Sequence, residues 1–498
     1  MKKILFLLAA LFCLAIIPLT AIYLTSSPAG EIRLPAVIGD HMVLQRNTEV
    51  RLWGWASPHC QLRIHTSWDN ASHATQANDE GRWQILLPTG DATTEPQQIE
   101  IRESGNWGGR SNAVTINDIL IGEVWLASGQ SNMEMPLKGF PGCAVQGGMN
   151  DAIRAHQRSP YVRMMNVQLH QSAQELEDCQ GQWTDSHYPN TLDWSATAYY
   201  FASTLSEALQ VPVGIVNAAY GGASVESWTN HQILEQYPDI DLDTTHIWAH
   251  LPHYNRPLLM YNAMFCPIRH YTYRGILWYQ GESNVGIGPS STQYAQRLAN
   301  MVQLWRDSIG LGDIPFIYAE IAPYQYDGDQ KERAPYLREQ QYLAQSIIPN
   351  SYMISTNDLV EPYEVYNIHP RQKSVVGQRL CWAALHNTYG QKQVCWAGPR
   401  YKDMEIRRDT CVVNFTDLPM GICRNYDIRG FEVAGADRRF YPADEALFRW
   451  RTNQMLVRST RVPHPVAVRY CFHDWQPGTL IGGNELPAFP FRTDQWEP

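Results

Sequence analysis

Apolar and polar residues alternate over short distances from residue 31 to about residue 118, and this pattern predicts β structure. Runs of alternating or continuous apolar side chains are separated by Gly, Pro, Asn and Asp, as in strands joined by turns. The predicted strands are Val50–Trp55, Cys60–Thr66, Trp83–Leu87, Ile99–Arg102 and Val114–Leu120. Short strands with frequent turns are typical of a small β-sandwich-like domain.

Between residue 121 and about residue 390 the pattern changes, and apolar strands alternate with amphipathic helices. The predicted strands are Val124–Ala127, Tyr161–Asn166, Val213–Asn217, Gly275–Tyr279, Pro315–Glu320 and Tyr352–Ser355. The predicted helices are Ala196–Leu209, Gln293–Ile309, Arg333–Ile347 and Gln372–Asn387. Such alternation predicts an α/β domain with a parallel sheet and helices on both of its faces.

The chain returns to β patterning after about residue 396. The predicted strands there are Met404–Arg407, Cys411–Phe415, Phe431–Ala434, Gln454–Val457 and Ala467–Phe472. We therefore expect an N-terminal β domain over 31–118, a catalytic domain over 119–395 and a C-terminal β domain over 396–498.

Residues 1–30 have the features of an export signal. Lys2 and Lys3 precede an apolar run from Ile4 to Leu24, which is the order found in secretory signals. A run of about 20 apolar residues is also long enough to span a bilayer. The leader therefore predicts export to the periplasm or the extracellular space, either with cleavage or with the leader kept as an N-terminal membrane anchor.

Composition narrows the classes of partner and cofactor. The 498 residues carry a formal net charge of −10, which argues against binding to nucleic acid or to an anionic membrane surface. No Cys-x-x-Cys or His-Glu-x-x-His motif is present, so we expect neither a metal nor another cofactor. The sequence does not fix the oligomeric state.

Ten cysteines are present, and nine of them follow the leader residue Cys13. An oxidising compartment permits disulfides, and two pairs are near enough in sequence to form them, Cys381 with Cys395 and Cys411 with Cys423. The connectivity is not fixed by the sequence. Because nine is an odd number, at least one thiol stays free or pairs between chains.

Three apolar strands of the α/β region end in polar turns that contain candidate catalytic residues. In an open α/β sheet the carboxyl ends of the strands gather at one edge, where ligands bind. A tight glycine-containing turn after a strand can also expose a serine hydroxyl. The three turns are Ser128–Asn132, Gln280–Asn284 and Asn367–Pro370.

These motifs resemble those of the sialate O-acetylesterase family, which belongs to the SGNH (GDSL-type) hydrolases. The matching segments are Gly129–Glu134, Trp278–Asn284, Ile368–Pro370, Met42–Arg46, Trp53–Trp55 and Phe489–Asp494. The resemblance covers nearly the whole chain after the leader. It implies an α/β fold with a flavodoxin-like three-layer SGNH hydrolase core, flanked by N-terminal and C-terminal β-sandwich-like domains.

The resemblance implies that Ser131 is the nucleophile and that His369 is its general base. A serine hydroxyl needs a base to remove its proton, and imidazole can both take and return a proton near neutral pH. Family members usually carry an aspartate three residues before the histidine, but Tyr366 stands there in this chain. We expect Asp358 to be the third triad member. Glu364, Glu361 or a backbone carbonyl that orients the imidazole of a Ser–His dyad are the alternatives.

The oxyanion donors of the family are the serine N–H, a glycine N–H and an asparagine side chain. The resemblance places Asn284 in the asparagine position, and Gly222 is preferred to Gly221 as the glycine. Removing one such donor typically lowers the rate about 10²–10³-fold.

Five further polar residues lie in or near the motifs and could support the site or contact substrate: Gln130, Glu134, Gln280, Glu282 and Arg338. For Glu282 we favour hydrogen bonding below the site over a role as catalytic acid. Sialic acid carries a carboxylate, for which an arginine is the usual partner, and Arg338 is a candidate for that contact.

The sequence therefore predicts a serine esterase that removes O-acetyl groups from carbohydrates through an acetyl-serine intermediate. The resemblance implies O-acetylated sialic acids as substrates, and acetylated xylan or another glycan is an alternative. The sequence is also compatible with a non-catalytic carbohydrate-binding protein and with an esterase or transacylase that acts on the cell's own envelope polymer. A lipase of the α/β-hydrolase type is disfavoured because the Gly-x-Ser-x-Gly motif is absent.

Overall fold

A computed structural model describes residues 31–104, 112–326 and 332–496. The predicted signal or anchor over residues 1–30 lies outside the described residues. Within the described ranges, no helix combines the length and the apolar character that crossing a bilayer requires.

The chain forms an α/β structure with a large mixed sheet and additional antiparallel sheets. The first thirteen strands are β1 (Val43–Gln45), β2 (Glu49–Trp55), β3 (Gln61–Thr66), β4 (Ser72–Gln76), β5 (Arg82–Pro88), β6 (Thr93–Ser104), β7 (Ala113–Gly129), β8 (Val162–Asn166), β9 (Trp183–Asp185), β10 (Val213–Ala219), β11 (Gly275–Tyr279), β12 (Phe316–Ala319) and β13 (Ser351–Ile354). The remaining strands are β14 (Arg400–Arg407), β15 (Thr410–Thr416), β16 (Phe431–Ala434), β17 (Phe440–Pro442), β18 (Glu445–Arg449), β19 (Gln454–Arg458), β20 (Ala467–Tyr470) and β21 (Phe491–Arg492).

The α-helices of the described residues lie between β7 and β14. They are α1 (Ser131–Glu134), α2 (Gly148–Arg158), α3 (Ala196–Leu209), α4 (His231–Leu234), α5 (Thr244–His250), α6 (Gly288–Thr292), α7 (Tyr294–Ile309), α8 (Ala334–Ile347) and α9 (Lys373–Asn387). The four helices predicted from the sequence correspond to α3, α7, α8 and α9, and their observed bounds differ by no more than one residue.

The central sheet has the strand order β13-β12-β11-β7-β10-β8-β9. All neighbours from β13 to β8 are parallel, and β9 is antiparallel to β8. Side chains of β7 alternate between two apolar clusters: Val124 and Leu126 belong to one, and Trp125 and Ala127 to the other. Residues of α7 and α8 join the first cluster, while those of α3 and α9 join the second. Helices thus cover both faces of the sheet.

Strand β7 continues through a point at which the sequence predicts a break. We expected two strands, Val114–Leu120 and Val124–Ala127, but one strand of 17 residues contains both. The intervening Gly122 permits close packing, because a Cβ there would lie 2.1 Å from the carbonyl oxygen of Pro212. Glu123 is buried and accepts hydrogen bonds from Gln45 and from other neighbouring side chains, so its charge does not end the strand.

The N-terminal strands do not form a free-standing sandwich. Strands β1 and β6 pair with the first half of β7, and β3 and β4 extend the same sheet through β6. Only β2 and β5 form a separate two-stranded antiparallel ladder. The strand that carries the N-terminal sheet therefore also forms the middle of the central sheet.

The C-terminal strands form two four-stranded antiparallel sheets, with the orders β14-β15-β19-β18 and β17-β16-β20-β21. The two sheets share one apolar cluster that includes Val413, Val433, Met455 and Val468. This region is connected to the α/β region through Asp474, whose Oδ1 accepts hydrogen bonds from the backbone N–H groups at the start of α8.

Neither of the two disulfides that the sequence permits is present, since all nine cysteines of the described residues are free thiols. Cys381 is buried in the apolar cluster beneath α9, whereas Cys395 lies in a half-buried loop. Cys411 is buried between the C-terminal sheets, and Cys423 is half-buried. In each pair one cysteine is buried in an apolar cluster and the other is half-buried, so nearness in sequence does not place the two thiols in the same environment.

Candidate active site

Ser131 follows the central strand β7 at a turn that requires glycine. Gly129 has a φ of 137°, and a Cβ there would lie 2.2 Å from the carbonyl oxygen of Tyr279 on the neighbouring strand. The N–H of Gln130 donates to that same oxygen at 3.0 Å. Ser131 then begins the short helix α1, and it remains partly exposed.

His369 lies beside Ser131, although 238 residues separate the two along the chain. Its Nε2 is 2.8 Å from Ser131 Oγ. Asn367 fixes the backbone on both sides of the ring, because its Oδ1 accepts from His369 N–H at 3.1 Å and its Nδ2 donates to the His369 carbonyl at 2.9 Å. The ring of Phe140 meets the imidazole edge-on, with 5.5 Å between the ring centroids. The spatial meeting predicted from the motifs is therefore present.

The environment of His369 favours its neutral form. Burial, together with the nearby positive charge of Lys373, lowers the pKa of His369 to about 4. The imidazole is therefore unprotonated at neutral pH, and its Nε2 can accept the proton of Ser131.

Asp358 does not orient His369. Its two carboxylate oxygens accept hydrogen bonds from the Arg379 guanidinium, each at 2.7 Å. No hydrogen bond among the described residues joins Asp358 to His369. The prediction of Asp358 as the third triad member is therefore wrong. It took no account of Arg379, which lies on α9 and donates to both oxygens of this carboxylate.

The other predicted orienters do not reach the Nδ1 atom of His369 either. Glu364 is buried and accepts from the N–H groups of Glu361 and Arg371, so it shapes the loop that carries the histidine. Tyr366, at the position of the family aspartate, is 75% exposed. Within the described residues the polar neighbour of Nδ1 is Cys143, with Sγ at 3.9 Å. No carboxylate therefore completes the triad in the described residues.

Asn284 is committed to a buried network and has no donor left for an oxyanion. Its Nδ2 donates to Glu226 Oε2 at 3.0 Å and to Ser290 Oγ at 2.6 Å. Its Oδ1 accepts from Val225 N–H at 3.2 Å and from Gln280 Nε2 at 2.7 Å. We correct the expectation for this residue, because its amide stabilises the loop after β10.

The two candidate glycines differ in their hydrogen bonding. The N–H of Gly221 donates to the Glu134 carboxylate. No described residue accepts a hydrogen bond from the N–H of Gly222 or from that of Ser131. A Cβ at Gly221 would lie 3.6 Å from the Cβ of Ser131, so this turn is adjacent to the nucleophile. The N–H groups of Gly222 and Ser131 are therefore backbone donors at the site without an acceptor among the described residues.

Gln130, Gln280 and Glu282 connect the loops around the site. Gln130 Oε1 accepts from Gly281 N–H at 3.2 Å, so it joins the nucleophile turn to the turn after β11. Gln280 Nε2 donates to the Ala223 carbonyl at 3.0 Å. Glu282 is buried, which raises its pKa, and it accepts a hydrogen bond from another buried side chain of the site.

Arg338 lies outside the site. Its side chain is 1% exposed, and Nη2 donates to the carbonyl oxygens of His473 at 2.6 Å and Asp474 at 3.3 Å. The guanidinium therefore attaches α8 to the C-terminal region and does not contact substrate. The predicted interaction with a sialic acid carboxylate is excluded for this residue by its burial.

Glu134 was predicted as a supporting residue, but three other residues close to Ser131 and His369 have no role predicted from the sequence: Asn132, Cys143 and Lys373. Burial raises the pKa of Glu134, although the Gly221 N–H opposes that shift. Lys373 and Asn132 are fully buried beside the histidine loop. Asn132 lies within the segment Gly129–Glu134, and Lys373 lies just after the segment Ile368–Pro370, so these positions were the sequence feature that pointed to them. Within the described residues, no group of three or more His, Cys, Asp or Glu side chains could hold a metal ion.

Comparison with known proteins identifies the class to which this site belongs. The profile of a family described as carbohydrate esterase, sialic acid-specific acetylesterase, matches residues 121–386, which is more than half of the chain. The chain belongs to this family and is a carboxylic ester hydrolase.

Individual relatives align over nearly their whole length. The sialate O-acetylesterase of Mus musculus is 25% identical, with 92% of this chain and 94% of that protein covered. The sialate O-acetylesterase of Homo sapiens is 24% identical, with 92% of each covered. The crystal structure of a novel carbohydrate acetylesterase from Xanthomonas citri superposes with a TM-score of 0.82 at 30% identity, covering 93% of this chain and 100% of that one.

Proposed function

We propose that the protein removes O-acetyl groups from carbohydrates through an acetyl-serine intermediate. The observation that carries this proposal is the 2.8 Å contact between His369 Nε2 and Ser131 Oγ at the carboxyl edge of the central sheet. Nucleophilic ester cleavage needs this pairing of a hydroxyl with a neutral base.

In the first half of the reaction, His369 takes the proton of Ser131 while Oγ attacks the acetyl carbonyl carbon. The N–H groups of Ser131 and Gly222 stabilise the negative charge that forms on the carbonyl oxygen. The C–O bond to the sugar then breaks, and the protonated His369 returns its proton to the departing sugar oxygen. A Ser–His dyad performs these steps, since no carboxylate of the described residues contacts Nδ1.

In the second half, a water molecule gives its proton to His369 and attacks the acetyl-serine carbon. Collapse of the second tetrahedral intermediate returns the proton to Ser131 Oγ and releases acetate. The same base therefore acts twice, which is consistent with the low pKa that its surroundings give it.

We propose O-acetylated sialic acids as the first substrates to test, because the family description and the mammalian relatives name them. Neutral acetylated glycans such as xylan are the second candidate. Two observations favour this second class: Arg338 is buried away from the site, and the carboxyl group of Glu134 accepts from the N–H of Gly221 in the turn adjacent to Ser131.

We also propose that residues 119–395 form an SGNH-type, flavodoxin-like core, flanked by β regions over 31–118 and 396–498. The parallel strand order and the helices on both faces support this division, although β7 crosses the boundary at residue 118. Export through the leader over 1–30 belongs to the same proposal.

Hydrolysis of p-nitrophenyl acetate by the purified protein and by Ser131→Ala tests the function. We expect hydrolysis by the wild type and its loss in S131A and in His369→Ala. The control Ser346→Ala changes a more exposed hydroxyl on α8, which donates to the Leu343 carbonyl, and should keep full activity. Carbohydrate binding without hydrolysis by the wild type would contradict the proposal and favour a non-catalytic role.

Acetate release from O-acetylated sialic acids and acetylated xylan then identifies the substrate class. The same reactions with an added alcohol acceptor separate hydrolysis from transfer. Acetylation of the acceptor in place of acetate release would assign the protein to the transacylases.

A further inference from the structure

A buried network connects the residue after the nucleophile to both chain neighbours of the base. Asn132 follows Ser131, and its Nδ2 donates to the carbonyl of Ile368 at 3.0 Å and to the Glu282 carboxylate. Its Oδ1 accepts from Lys373 Nζ at 2.6 Å. Each hydrogen-bonding atom of the Asn132 amide is thus engaged between the two catalytic loops.

Lys373 completes the arrangement from the other side of the histidine. Its Nζ donates to the Pro370 carbonyl at 2.7 Å, and its side chain is buried beneath the loop at the start of α9. The residues on either side of His369 therefore both have hydrogen-bonded carbonyls: Asn132 donates to that of Ile368, and Lys373 donates to that of Pro370. These two hydrogen bonds fix the backbone once before His369 and once after it.

In a Ser–His–Asp triad, a carboxylate on Nδ1 holds the imidazole in its working orientation. His369 has no such partner among the described residues. We propose that Lys373, acting through Asn132 and the Pro370 carbonyl, is a positioning residue that holds His369 against Ser131 in place of the missing carboxylate. The inference rests on the esterase function proposed above and adds residues to its machinery.

The charges around Lys373 give this proposal a signature that a purely structural lysine would lack. Its ammonium group is faced by Glu282 from the turn after β11, by Glu364 and His369 from the histidine loop, and by the thiol of Cys143. The Tyr279 ring on β11 lies 5.8 Å away. Burial lowers the pKa of Lys373 to about 7, against the opposing effect of the two carboxylates.

The positive charge of Lys373 also lowers the pKa of His369, since it opposes protonation of the imidazole. Removal of the cation should therefore raise the pKa of His369. Because only the neutral imidazole acts as a base, the acid limit of kcat/KM should then move to higher pH.

The test compares Lys373→Met with the wild type in p-nitrophenyl acetate hydrolysis across pH. We expect kcat to fall about 10- to 100-fold, because a small misplacement of a catalytic group has effects of that size, while KM stays within about twofold. We also expect the acid limit to move upward. The matched control is Arg306→Met, which removes another buried cation that donates to backbone carbonyls, those of Ile314 and Asn350. It should lower thermal stability and leave kcat and the pH profile unchanged.

Asn132→Ala provides an independent variant in case K373M does not fold. It removes the bridge but keeps the ammonium group, so kcat should fall while the acid limit stays at its wild-type pH. Wild-type kcat and pH profile in K373M would overturn the proposal, and so would wild-type kcat in N132A where K373M is not folded. Equal losses in K373M and R306M would also overturn it. Absence of hydrolysis by the wild type would instead refute the esterase function, and activity retained in S131A would refute Ser131 as the nucleophile, so these failures are distinguishable from failure of the Lys373 proposal.

Discussion

At the scale of single residues, hydrogen-bond partners decide which polar groups can take part in the chemistry. Ser131 and His369 could be predicted, because short motifs carry them and the sheet edge brings the motifs together. The roles of Asp358 and Asn284 could not be predicted, because each depends on a partner that only the tertiary structure supplies. Arg379 donates to the carboxylate of Asp358, and Glu226 accepts a hydrogen bond from the side-chain amide of Asn284.

The Asp358→Asn variant should lose stability but keep its turnover. The change breaks a largely buried ion pair with Arg379, so we expect the free energy of unfolding to fall by about 2–4 kcal/mol. Because His369 does not depend on this carboxylate, turnover should stay within about twofold of the wild-type value. Urea denaturation and steady-state kinetics of the same preparation measure the two effects. If turnover instead fell by about two orders of magnitude with unchanged stability, Asp358 would be restored to the catalytic triad.

At the scale of elements, the pattern of apolar residues predicted α3, α7, α8 and α9 closely, missed α2 and the shorter helices, and predicted the N-terminal strands less well. Helices such as α7 and α8 each bury one side against the sheet, and their periodicity is local in sequence. The pairing of β6 with β7 depends on contacts between separate segments, to which a local pattern is insensitive. Gly122 and Glu123 together suggested the end of a strand. The residues that they contact, Pro212 and Gln45, lie far away in sequence, so a local pattern does not reveal them.

The loop after β10 allows an element-scale prediction through Gly222→Ala. Gly222 has a φ of 78°, and a Cβ there would lie 2.7 Å from the Cβ of Tyr254. The loop must move, and the N–H of Gly222 moves with it, so we expect kcat to fall about 10²–10³-fold. Steady-state kinetics on p-nitrophenyl acetate measures the effect.

The control for this change is Gly310→Ala at the end of α7. Gly310 has the same φ of 78° with open space around its Cβ position, so it carries the backbone strain without the collision. It should cost about 1 kcal/mol of stability and leave kcat unchanged. Similar kinetics for the two variants would mean that the Gly222 loop supplies no oxyanion donor.

At the scale of the whole molecule, buried hydrogen bonds around Asp474 are among the contacts that join the C-terminal sheets to the α/β region. Asp474 is fully buried, and its Oδ1 accepts from the N–H groups of Arg333 at 2.8 Å and Ala334 at 2.7 Å. Arg338 donates back to the carbonyls of the same C-terminal segment. The sequence predicted the β character of this region, but its attachment to α8 became visible only from the structure.

A whole-molecule prediction concerns Asp474→Ala. The change leaves two buried N–H groups at the start of α8 without an acceptor, so we expect a loss of about 1–3 kcal/mol in the free energy of unfolding. Limited proteolysis should then cut more readily between residues 396 and 498. The control is Asp243→Ala, which removes a more exposed cap from α5 and should cost less. Equal protease resistance of D474A and the wild type would show that the C-terminal region is attached by other contacts.

The continuity of β7 has a practical consequence for protein engineering. A chimaera that receives a foreign N-terminal part at residue 118 would have its junction inside a hydrogen-bonded ladder, since the strand runs unbroken from Ala113 to Gly129. A donor segment would therefore have to include its own copy of the entire strand and, with it, the turn that presents the nucleophile. The N-terminal part is thus not an interchangeable cassette, and recombination among relatives at this boundary would replace part of the catalytic apparatus as well.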